Sequence, residues 1–554
     1  MRKIAPVLLP LLLFIFSFPA MAQVRGQQVQ RCATQEAIER RYQTDPMFRS
    51  LMDQRERDFQ QWRLTHPNGA PVTEALTGIV TIPVVVHIVL PNPNIITEAD
   101  VEYFINRLNL DFSGLNPDST NGVSFYPVRG HSLLRFCLAK RDPAGNFTNG
   151  IERRAGAGTI GSGEPQSIKS FAAGGLNPWN TTQYYNIWVG TAGGLLGIAP
   201  EIGPGTAASD GVCINYQAFA NNPCYTIAAF NLARTAVHEI GHNFGLYHTF
   251  QGGCSNLDMQ QLTSPGCVLP APVLALPDDT PGQSASTSGC PVGTAASGCA
   301  GFPSPPGKQY QNYMDYTDDA CYSMFTNTQV ERMHWVTENC RAGYITSNGC
   351  QLPASTVPLD AAISEVVSPG GSELVGCSVV TYNVTGCSGA FAPKVRIQNQ
   401  GSTTLTSVTV QLTLNGTPIP AQTFPVLIAY GKSQVVTLSN AILISGANTL
   451  SFTVSAPNGG VDGNAANNTL TTNATFTPPA ALAMPFAQDF TGVTFPPANM
   501  TINNPNANNT WVRNANGNGN AGSAFIDNYN FNLPGQIDEL RSVLLTVPPE
   551  SMRF

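Results

Sequence analysis

The sequence has few charged residues and no cluster of positive charge. Asp, Glu, Lys and Arg make up 11% of the 554 residues, and the formal net charge is -7. A protein that binds nucleic acid needs a basic patch or stripe that neutralises phosphates. The composition therefore predicts no nucleic-acid partner.

Long apolar runs are scarce as well, and the clearest one lies at the start of the chain. A charged start precedes an apolar stretch from Pro6 to Pro19, and Ala20-Met21-Ala22 follows as a small-residue cleavage motif. This pattern predicts a secretory signal peptide over residues 1–22. The alternative is an uncleaved membrane anchor, but the run is shorter than the ~20 residues that a span needs. We expect a secreted, extracellular protein without a membrane span.

The sequence contains 13 cysteines, an odd number, so at least one of them cannot pair within the chain. An exported protein can oxidise the others to disulfides.

Composition divides the rest of the chain into four segments. Residues 23–77 are charged, have apolar residues at irregular helical spacing, and end in a linker that contains proline and glycine. Residues 78–350 begin with a β-branched run that predicts a buried strand. The other predicted elements of this segment are strands at Phe136–Leu138, Tyr184–Val189 and Leu195–Ile202, a helix over Glu98–Leu108 that Thr97 caps, and a long helix over 229–247. This order predicts an α+β or mixed α/β domain.

From about residue 355 onward, short alternating segments are separated by turn signals such as Asn415-Gly416. This pattern predicts an Ig-like antiparallel β-sandwich over residues 355–477. Residues 478–554 are also β-rich, but they are too few for another full sandwich. We expect a small or incomplete accessory domain there.

Three of the seven histidines lie in one short segment that matches HExxHxxGxxH. Histidines at positions i and i+4 lie one turn apart on the same helix face, so His238 and His242 can bind one cation. Gly245 allows the left-handed turn that ends the helix, after which His248 supplies a third ligand. Three protein ligands leave a fourth position open, which is typical of catalytic zinc.

Glu239 directly follows the first of these histidines and is the predicted general base. An ordinary amphipathic helix can carry HExxH by chance, but the extended motif fixes five positions in order. The remaining histidines have no such context, and we expect structural roles for His66, His87, His131 and His334.

The extended motif resembles the signature of the metzincin metalloproteases, which implies a methionine turn further along the chain. The segment Asn312–Tyr316 fits this turn, with Met314 as an apolar floor beneath the metal. In metzincins the position of Tyr316 can hydrogen-bond the oxyanion. The alternatives are core packing for Met314 and an ordinary loop tyrosine for Tyr316.

Within the metzincins, the sequence resembles the pappalysin family from about Arg31 to Tyr344. The resemblance implies an endopeptidase with zinc and structural calcium, whose two subdomains are separated by a cleft. The β-sandwich tail is not part of it. The resemblance rests on the zinc motif, Ile82-Pro83-Val84-Val85-Val86-His87, Phe136-Cys137-Leu138-Ala139, Asn186-Ile187-Trp188-Val189, Asp279-Thr280-Pro281 and Thr317-Asp318-Asp319-Ala320-Cys321.

The resemblance also gives the odd cysteine a role, because Arg31-Cys32-Ala33-Thr34 is similar to a pro-segment motif in which a thiolate caps the zinc. Residues 23–77 are then the pro-segment of a zymogen. The usual motif has glycine after the cysteine, where this chain has Ala33. The alternatives for Cys32 are a disulfide or an idle thiol.

The family pattern implies two disulfides between the zinc helix and the methionine turn, Cys254–Cys299 and Cys290–Cys321. The same loop would bind calcium through Asp279 and Thr280, unless these residues form an ordinary solvated turn. Closeness in sequence favours three local bridges, and elimination leaves a fourth pair. These are Cys213–Cys224, Cys340–Cys350, Cys377–Cys387 and Cys137–Cys267.

The predicted function is hydrolysis of protein or peptide substrates, with the peptide added to the strand Leu195–Ile202 as an extra strand. Relatives often prefer a basic residue just after the cut, for which Asp318 and Asp319 are candidate counter-charges. The tail is expected to bind substrate, matrix or cell surface, or to serve as a spacer. The competing hypothesis is a secreted adhesion protein whose protease domain is inactive.

Overall fold

The computed structural model describes residues 29–66, 76, 78–163, 166–199, 209–254, 279–300, 306–384 and 388–478, and short pieces between 482 and 546. The predicted signal peptide and most of the predicted linker after residue 66 lie outside these described residues. Within the described part of the chain, no helix is both long enough and apolar enough to span a bilayer.

A seven-stranded sheet forms the framework of the first unit, in the order β1-β6-β7-β5-β2-β3, with β4 also paired to β2. Every pairing is parallel except that of β6 with β7. The long strand β2 lies inside this sheet, which explains its nearly continuous run of buried β-branched residues. The strands are β1 Gln30–Cys32, β2 Val80–Leu90, β3 Leu134–Leu138, β4 Ile151–Ala155, β5 Tyr185–Gly190, β6 Leu195–Ile198 and β7 Val212–Asn215.

Helices pack against this sheet around one large apolar core. The predicted capping of α3 is confirmed, because the Thr97 hydroxyl accepts a hydrogen bond from the Asp100 amide and the Asp100 carboxylate accepts one from the Thr97 amide. The left-handed Gly114 then ends α3. The helices are α1 Thr34–Thr44, α2 Pro46–Thr65, α3 Glu98–Ser113, α4 Arg234–Asn243, α5 Asn327–Cys340 and α6 Gly343–Thr346.

The N-terminal segment, residues 29–66, is built into this unit. Its strand β1 joins the sheet beside β6. Its helix α2 contacts α5 through a buried, two-pronged ion pair, in which the Arg332 guanidinium donates to both oxygens of Glu56 at 2.8 and 2.9 Å. Phe59 packs on Trp335 next to this pair. Because β1 covers the outer edge of β6, the strand predicted as Leu195–Ile202 is not a sheet edge here; its residues 200–202 lie outside the described part.

The second unit is an antiparallel β-sandwich, which confirms the predicted fold class. A three-stranded sheet in the order β16-β12-β8 packs against a five-stranded sheet in the order β14-β13-β18-β19, with β15 on β13. Its strands are β8 Ala361–Ser368, β9 Ser372–Val375, β10 Ser378–Thr381, β11 Ala390–Phe391, β12 Lys394–Asn399, β13 Leu405–Leu414, β14 Thr417–Pro418, β15 Gln422–Ile428, β16 Ser433–Thr437, β17 Ala441–Ile442, β18 Gly446–Ser455 and β19 Thr469–Phe476.

Short paired strands follow the sandwich in the described pieces of the last segment. They are β20 Leu482–Ala483, β21 Met500–Asn503, β22 Val512–Asn514, β23 Ser523–Phe525, β24 Glu539–Ser542 and β25 Leu545–Thr546.

Four disulfides join described residues. Cys254–Cys299 and Cys290–Cys321 are the pairs that the family pattern implies. The other two are Cys137–Cys350 and Cys224–Cys377, so the predicted pairs Cys213–Cys224, Cys340–Cys350, Cys377–Cys387 and Cys137–Cys267 are wrong. Closeness in sequence failed as a guide because these bridges join residues 213 and 153 positions apart, which the fold brings together. Cys267 and Cys387 lie outside the described residues.

We expect Glu56→Gln to destabilise the full-length chain by about 3–5 kcal/mol, because it removes the carboxylate that faces the buried Arg332 guanidinium. The measurement is the urea concentration at the midpoint of unfolding of the first unit, monitored by near-ultraviolet circular dichroism. The matched control is Glu39→Gln on the exposed face of α1, where the Glu39 side chain pairs with Gln35 in solvent. Equal midpoints for the two variants would contradict this account of how the N-terminal segment is held.

Candidate metal centre

Helix α4 positions the first two histidines of the motif. The helix is shorter than the predicted 229–247. Ala228–Phe230 form a separate 3-10 turn, and the left-handed conformation of Ala233, with φ of 61°, keeps the helix from starting before Arg234. The chain leaves α4 at Gly245, where φ is 96° and a Cβ atom would lie 2.8 Å from Val336 Cγ2. Only glycine fits this turn, which returns the chain so that His248 reaches the other two histidines.

The three imidazoles converge through their Nε2 atoms. The Nε2–Nε2 distances are 3.1 Å for His238 and His242, 3.0 Å for His242 and His248, and 3.2 Å for His238 and His248. The Nδ1 atom of His238 donates to the Tyr313 carbonyl at 2.7 Å, and that of His242 donates to the Leu246 carbonyl at 2.8 Å. Because these Nδ1 atoms carry the protons, the facing Nε2 atoms present lone pairs to one another.

Burial keeps these imidazoles neutral. Desolvation lowers the pKa of His242 to about 4, and it lowers the pKa of His238 and of His248 as well. Two of the three facing nitrogens, those of His238 and His242, present lone pairs, and three neutral imidazole nitrogens that converge in this way can bind one cation. Backbone carbonyls that orient the far side of the ring are typical of histidine metal ligands. The residues therefore fit a metal ion.

Cys32 completes the cluster from the N-terminal segment. Its Sγ atom and one ring nitrogen of each of the three histidines all lie within 4.8 Å of one another, and all four residues are buried. Strand β1 sets this position, since Cys32 is in register with Gly197 of β6. Burial, followed by the charge of Glu239, raises the pKa of the Cys32 thiol.

Glu239 lies fully buried beside the histidines and contacts the N-terminal segment. Its Oε2 atom accepts hydrogen bonds from the Thr34 hydroxyl at 2.9 Å and from the Cys32 thiol at 3.4 Å. Its Oε1 atom is buried and accepts no hydrogen bond from the part of the chain that the structure describes. Burial raises the pKa of Glu239 to about 8. A glycine on β6 gives the carboxylate room, because a Cβ atom at Gly197 would lie 2.7 Å from Glu239 Cγ.

The predicted methionine turn lies under the histidines. Met314 is fully buried, and its sulfur would be 2.7 Å from a Cβ atom at Gly241, so the sulfur packs directly below α4. Tyr316 stands beside the cluster, with its ring centroid 4.9 Å from that of His248. Its hydroxyl donates to the Cys32 carbonyl at 3.4 Å.

The Arg31 side chain lies next to the histidines, where it lines a small pocket together with Thr235, His238, Tyr316 and Tyr322. The Arg31 guanidinium lies 4.0 Å from the ring centroid of Phe230 and 5.8 Å from that of Tyr322. Asp319 contributes negative charge, and the Arg31 charge acts to lower the pKa of its carboxyl against the larger effect of burial, which raises that pKa to about 6. Asp318 is only half-buried and is not among the pocket residues.

Asp279 and Thr280 lie against the start of α5. The Asp279 carboxylate accepts a hydrogen bond from the Thr328 amide at 3.0 Å, and the Thr280 hydroxyl lies 3.5 Å from that of Thr326. The calcium site stays a prediction, because residues 255–278 of the same loop lie outside the described part.

Sequence reasoning missed several residues of the site. The Thr34 hydroxyl hydrogen-bonds Glu239, the absence of a side chain at Gly197 leaves room for the Glu239 carboxylate, and Phe230 contacts Arg31. The threonine stands two positions after Cys32 in the motif already singled out, so its place in that motif was a usable signal. Gly197 and Phe230 gave no such signal, since their roles arise from contacts between distant segments.

Comparison with known proteins gives a consistent set of relatives. A family model described as Pregnancy-associated plasma protein-A matches residues 175–338. An extracellular metalloprotease of Pyricularia oryzae is 41% identical over 154 residues, which are 27% of this chain and 46% of that protein. One from Verticillium alfalfae is 41% identical over 138 residues, which are 24% of this chain and 40% of that protein. The chain thus spans less than half the length of these curated relatives.

Solved structures match over a longer stretch. Mature mirolysin of Tannerella forsythia, solved with a cleaved peptide, is 33% identical, and the match covers 49% of this chain and 96% of that one, with a TM-score of 0.41. A promirolysin variant from the same organism is 32% identical over 57% of this chain and 96% of that one, with a TM-score of 0.45. The chain belongs to the pappalysin family. Because pappalysins are metalloproteases, membership implies a catalytic metal, and the cluster of Cys32, His238, His242 and His248 is a group that can hold one.

We expect Gly197→Ala to destabilise the protein by about 1–3 kcal/mol, since the added methyl group would overlap Glu239 and force either the strand or the carboxylate to move. The measurement is the urea midpoint of the first unit. Gly78→Ala is the matched control, because a Cβ atom at Gly78 meets nothing within 4 Å. If both variants unfold at the same urea concentration, β6 does not approach Glu239 as closely as described.

Proposed function

We propose that this pappalysin is a secreted zinc endopeptidase, made as a zymogen that Cys32 keeps latent. The observation that carries the proposal is the arrangement of three neutral histidine nitrogens 3.0–3.2 Å apart beside one buried glutamate. This arrangement fits a metal ion with three protein ligands and a neighbouring base. The intact set of Glu239 and the three histidines supports an active enzyme over an adhesion protein with an inactive protease domain.

Zinc is the metal that this ligand set favours. Three imidazoles with one further position are a common catalytic zinc set, and a thiolate is a good ligand for the same metal. When bound, zinc supplies a lowered pKa for a water molecule and polarises the scissile carbonyl.

Glu239 is the proposed general base. Its buried carboxylate, with Oε1 unpartnered, can accept a proton from the attacking water and deliver it to the leaving amine. A pKa raised by burial suits a group that must both accept and return a proton. Tyr316 is the proposed oxyanion donor, and the hydrogen bond that its hydroxyl makes to the Cys32 carbonyl supports this role.

The proposed substrate path follows β6. Strand β1 of the pro-segment pairs with β6 in this chain, so the edge of β6 can bind an extended peptide. Removal of the pro-segment would free these backbone groups for strand addition.

The proposed binding pocket for a basic substrate side chain next to the scissile bond is the space that the Arg31 side chain occupies. The Phe230 and Tyr322 rings near that guanidinium, and the buried Asp319, suit a guanidinium group. Arg31 would occupy this pocket in the zymogen, while Cys32 fills the fourth ligand position. Both contacts support latency by the pro-segment.

Secretion is supported by the curated relatives, which are named extracellular, and by four disulfides among the described residues. Structural calcium at Asp279 and Thr280, and binding of matrix or cell surface by the tail, remain predictions without further support from the described residues.

We expect Glu239→Gln to lower the rate of peptide cleavage by about 100-fold to 10,000-fold, because it removes the proton acceptor. Zinc content, measured by mass spectrometry of the native protein, should stay near that of the wild type, whereas His242→Ala should lose it. The comparison uses the activated full-length protein and a peptide-library digest, with Glu338→Gln on α5 as the control. Wild-type rates for Glu239→Gln would refute the assigned base.

We expect Cys32→Ser to give the uncut chain partial activity, because the thiol leaves the metal while β1 still covers β6. The rate is measured on a small peptide before any processing is visible by gel. Cys340→Ser is the control, since Cys340, like Cys32, takes no part in the four disulfides among the described residues. Latency through the Cys32 thiol is wrong if the uncut Cys32→Ser and Cys340→Ser variants are equally inactive toward the peptide.

A further inference from the structure

One loop of the first unit connects the β-sandwich covalently to the pocket beside the metal centre. This loop, residues 216–233, runs from the end of β7 to the start of α4. Cys224 within it bonds to Cys377, which lies in the turn between β9 and β10, a separate two-stranded hairpin of the second unit.

A few residues after Cys224, the same loop provides Phe230, the aromatic ring that contacts the Arg31 guanidinium. Phe230 is buried and packs on Leu196 of β6, with the Arg31 guanidinium 4.0 Å from its ring centroid. The loop continues to Leu232, whose amide donates to the Asp319 carboxylate at 2.8 Å. This segment thus carries the ring that contacts Arg31 and donates one of the hydrogen bonds to the nearby Asp319 carboxylate.

The connection between Cys224 and Phe230 is short and braced. The Ile227 amide donates to the Gln217 carbonyl at 2.9 Å, and the Phe230 amide donates to the Ile227 carbonyl at 2.8 Å. Cys224 and Phe230 are therefore connected by a hydrogen-bonded turn, so a shift of Cys224 is expected to shift Phe230.

The sandwich is a fixed anchor for this disulfide because other contacts hold it against the first unit. The Ser433 hydroxyl donates to the Glu98 carboxylate at 2.7 Å, and Lys432 pairs with Glu102. Asn94 donates to the Ser372 carbonyl at 3.3 Å, which is on the hairpin that carries Cys377.

We propose that the β-sandwich, through the Cys224–Cys377 disulfide, positions Phe230 and thereby sets the preference of the enzyme for a basic side chain next to the scissile bond. Phe230 is the specificity-determining residue, and the two cysteines are positioning residues. The inference rests on the proposed peptidase function and gives the tail domain a role in substrate selection without any direct contact with substrate.

The test uses activated full-length protein and two fluorogenic peptides that differ in one residue after the scissile bond, Arg or Met. The readout is the ratio of kcat/KM for the two peptides. We expect the double variant Cys224→Ser/Cys377→Ser to lower this ratio by about tenfold, mainly through a higher KM for the Arg peptide. Phe230→Leu should lower it by a similar factor. Combining the three substitutions should give no further loss, since both changes act through the same ring.

The matched control is Cys137→Ser/Cys350→Ser, which removes a disulfide that joins β3 to the end of the first unit and does not involve the pocket loop. This control should lower stability and leave the ratio unchanged. The inference is overturned if removal of Cys224–Cys377 leaves the ratio within about twofold of wild type, or if its effect adds to that of Phe230→Leu. If the Cys224–Cys377 variant does not fold, a normal ratio for Phe230→Leu overturns it alone. Failure of the wild type to cut either peptide would instead refute the peptidase function, and the inference with it.

Discussion

Three histidine nitrogens that face one another inside the protein are the constraint on which the rest of the first unit depends. Burial keeps the rings neutral, and their mutual approach to 3.0–3.2 Å suits a cation bound between them. The surrounding structure holds that geometry. Helix α4 spaces the first two rings, the left-handed turn at Gly245 returns the third, and backbone carbonyls fix the ring orientations.

The N-terminal segment is bound to this centre at several independent points. Strand β1 adds to the sheet, Cys32 reaches the histidine cluster, and the Thr34 hydroxyl hydrogen-bonds Glu239. Further away, Glu56 of α2 pairs with Arg332 of α5 in a buried site. A segment held by sheet pairing, a candidate ligand and a buried ion pair does not leave by local fraying, so its release would require cleavage of the chain followed by dissociation of the whole segment.

Local sequence signals predicted the parts of the protein whose geometry is local. The spacing of His238 and His242 and the capping by Thr97 follow from helix periodicity and termini, and the structure has both. The alternating segments after residue 355 likewise predicted the antiparallel sandwich. The predicted helix 229–247 was too long at both ends, because the left-handed Ala233 delays its start to Arg234 and the turn at Gly245 follows its end at Asn243.

Features that depend on distant segments were not predictable in the same way. The Cys224–Cys377 bridge joins two units, and the pairing of β1 with β6 joins residues far apart in sequence. The same applies to the contact of Phe230 with Arg31. No periodicity or spacing marks such contacts, which are decided by how the completed elements pack.

The most direct test of the central claim is X-ray absorption at the zinc edge of the purified, uncut protein. We expect three nitrogen ligands at about 2.0–2.1 Å and one sulfur ligand at about 2.3 Å, with the sulfur lost after the N-terminal segment is removed. A spectrum of the uncut protein with nitrogen and oxygen ligands alone, or with no bound zinc, would contradict the central claim.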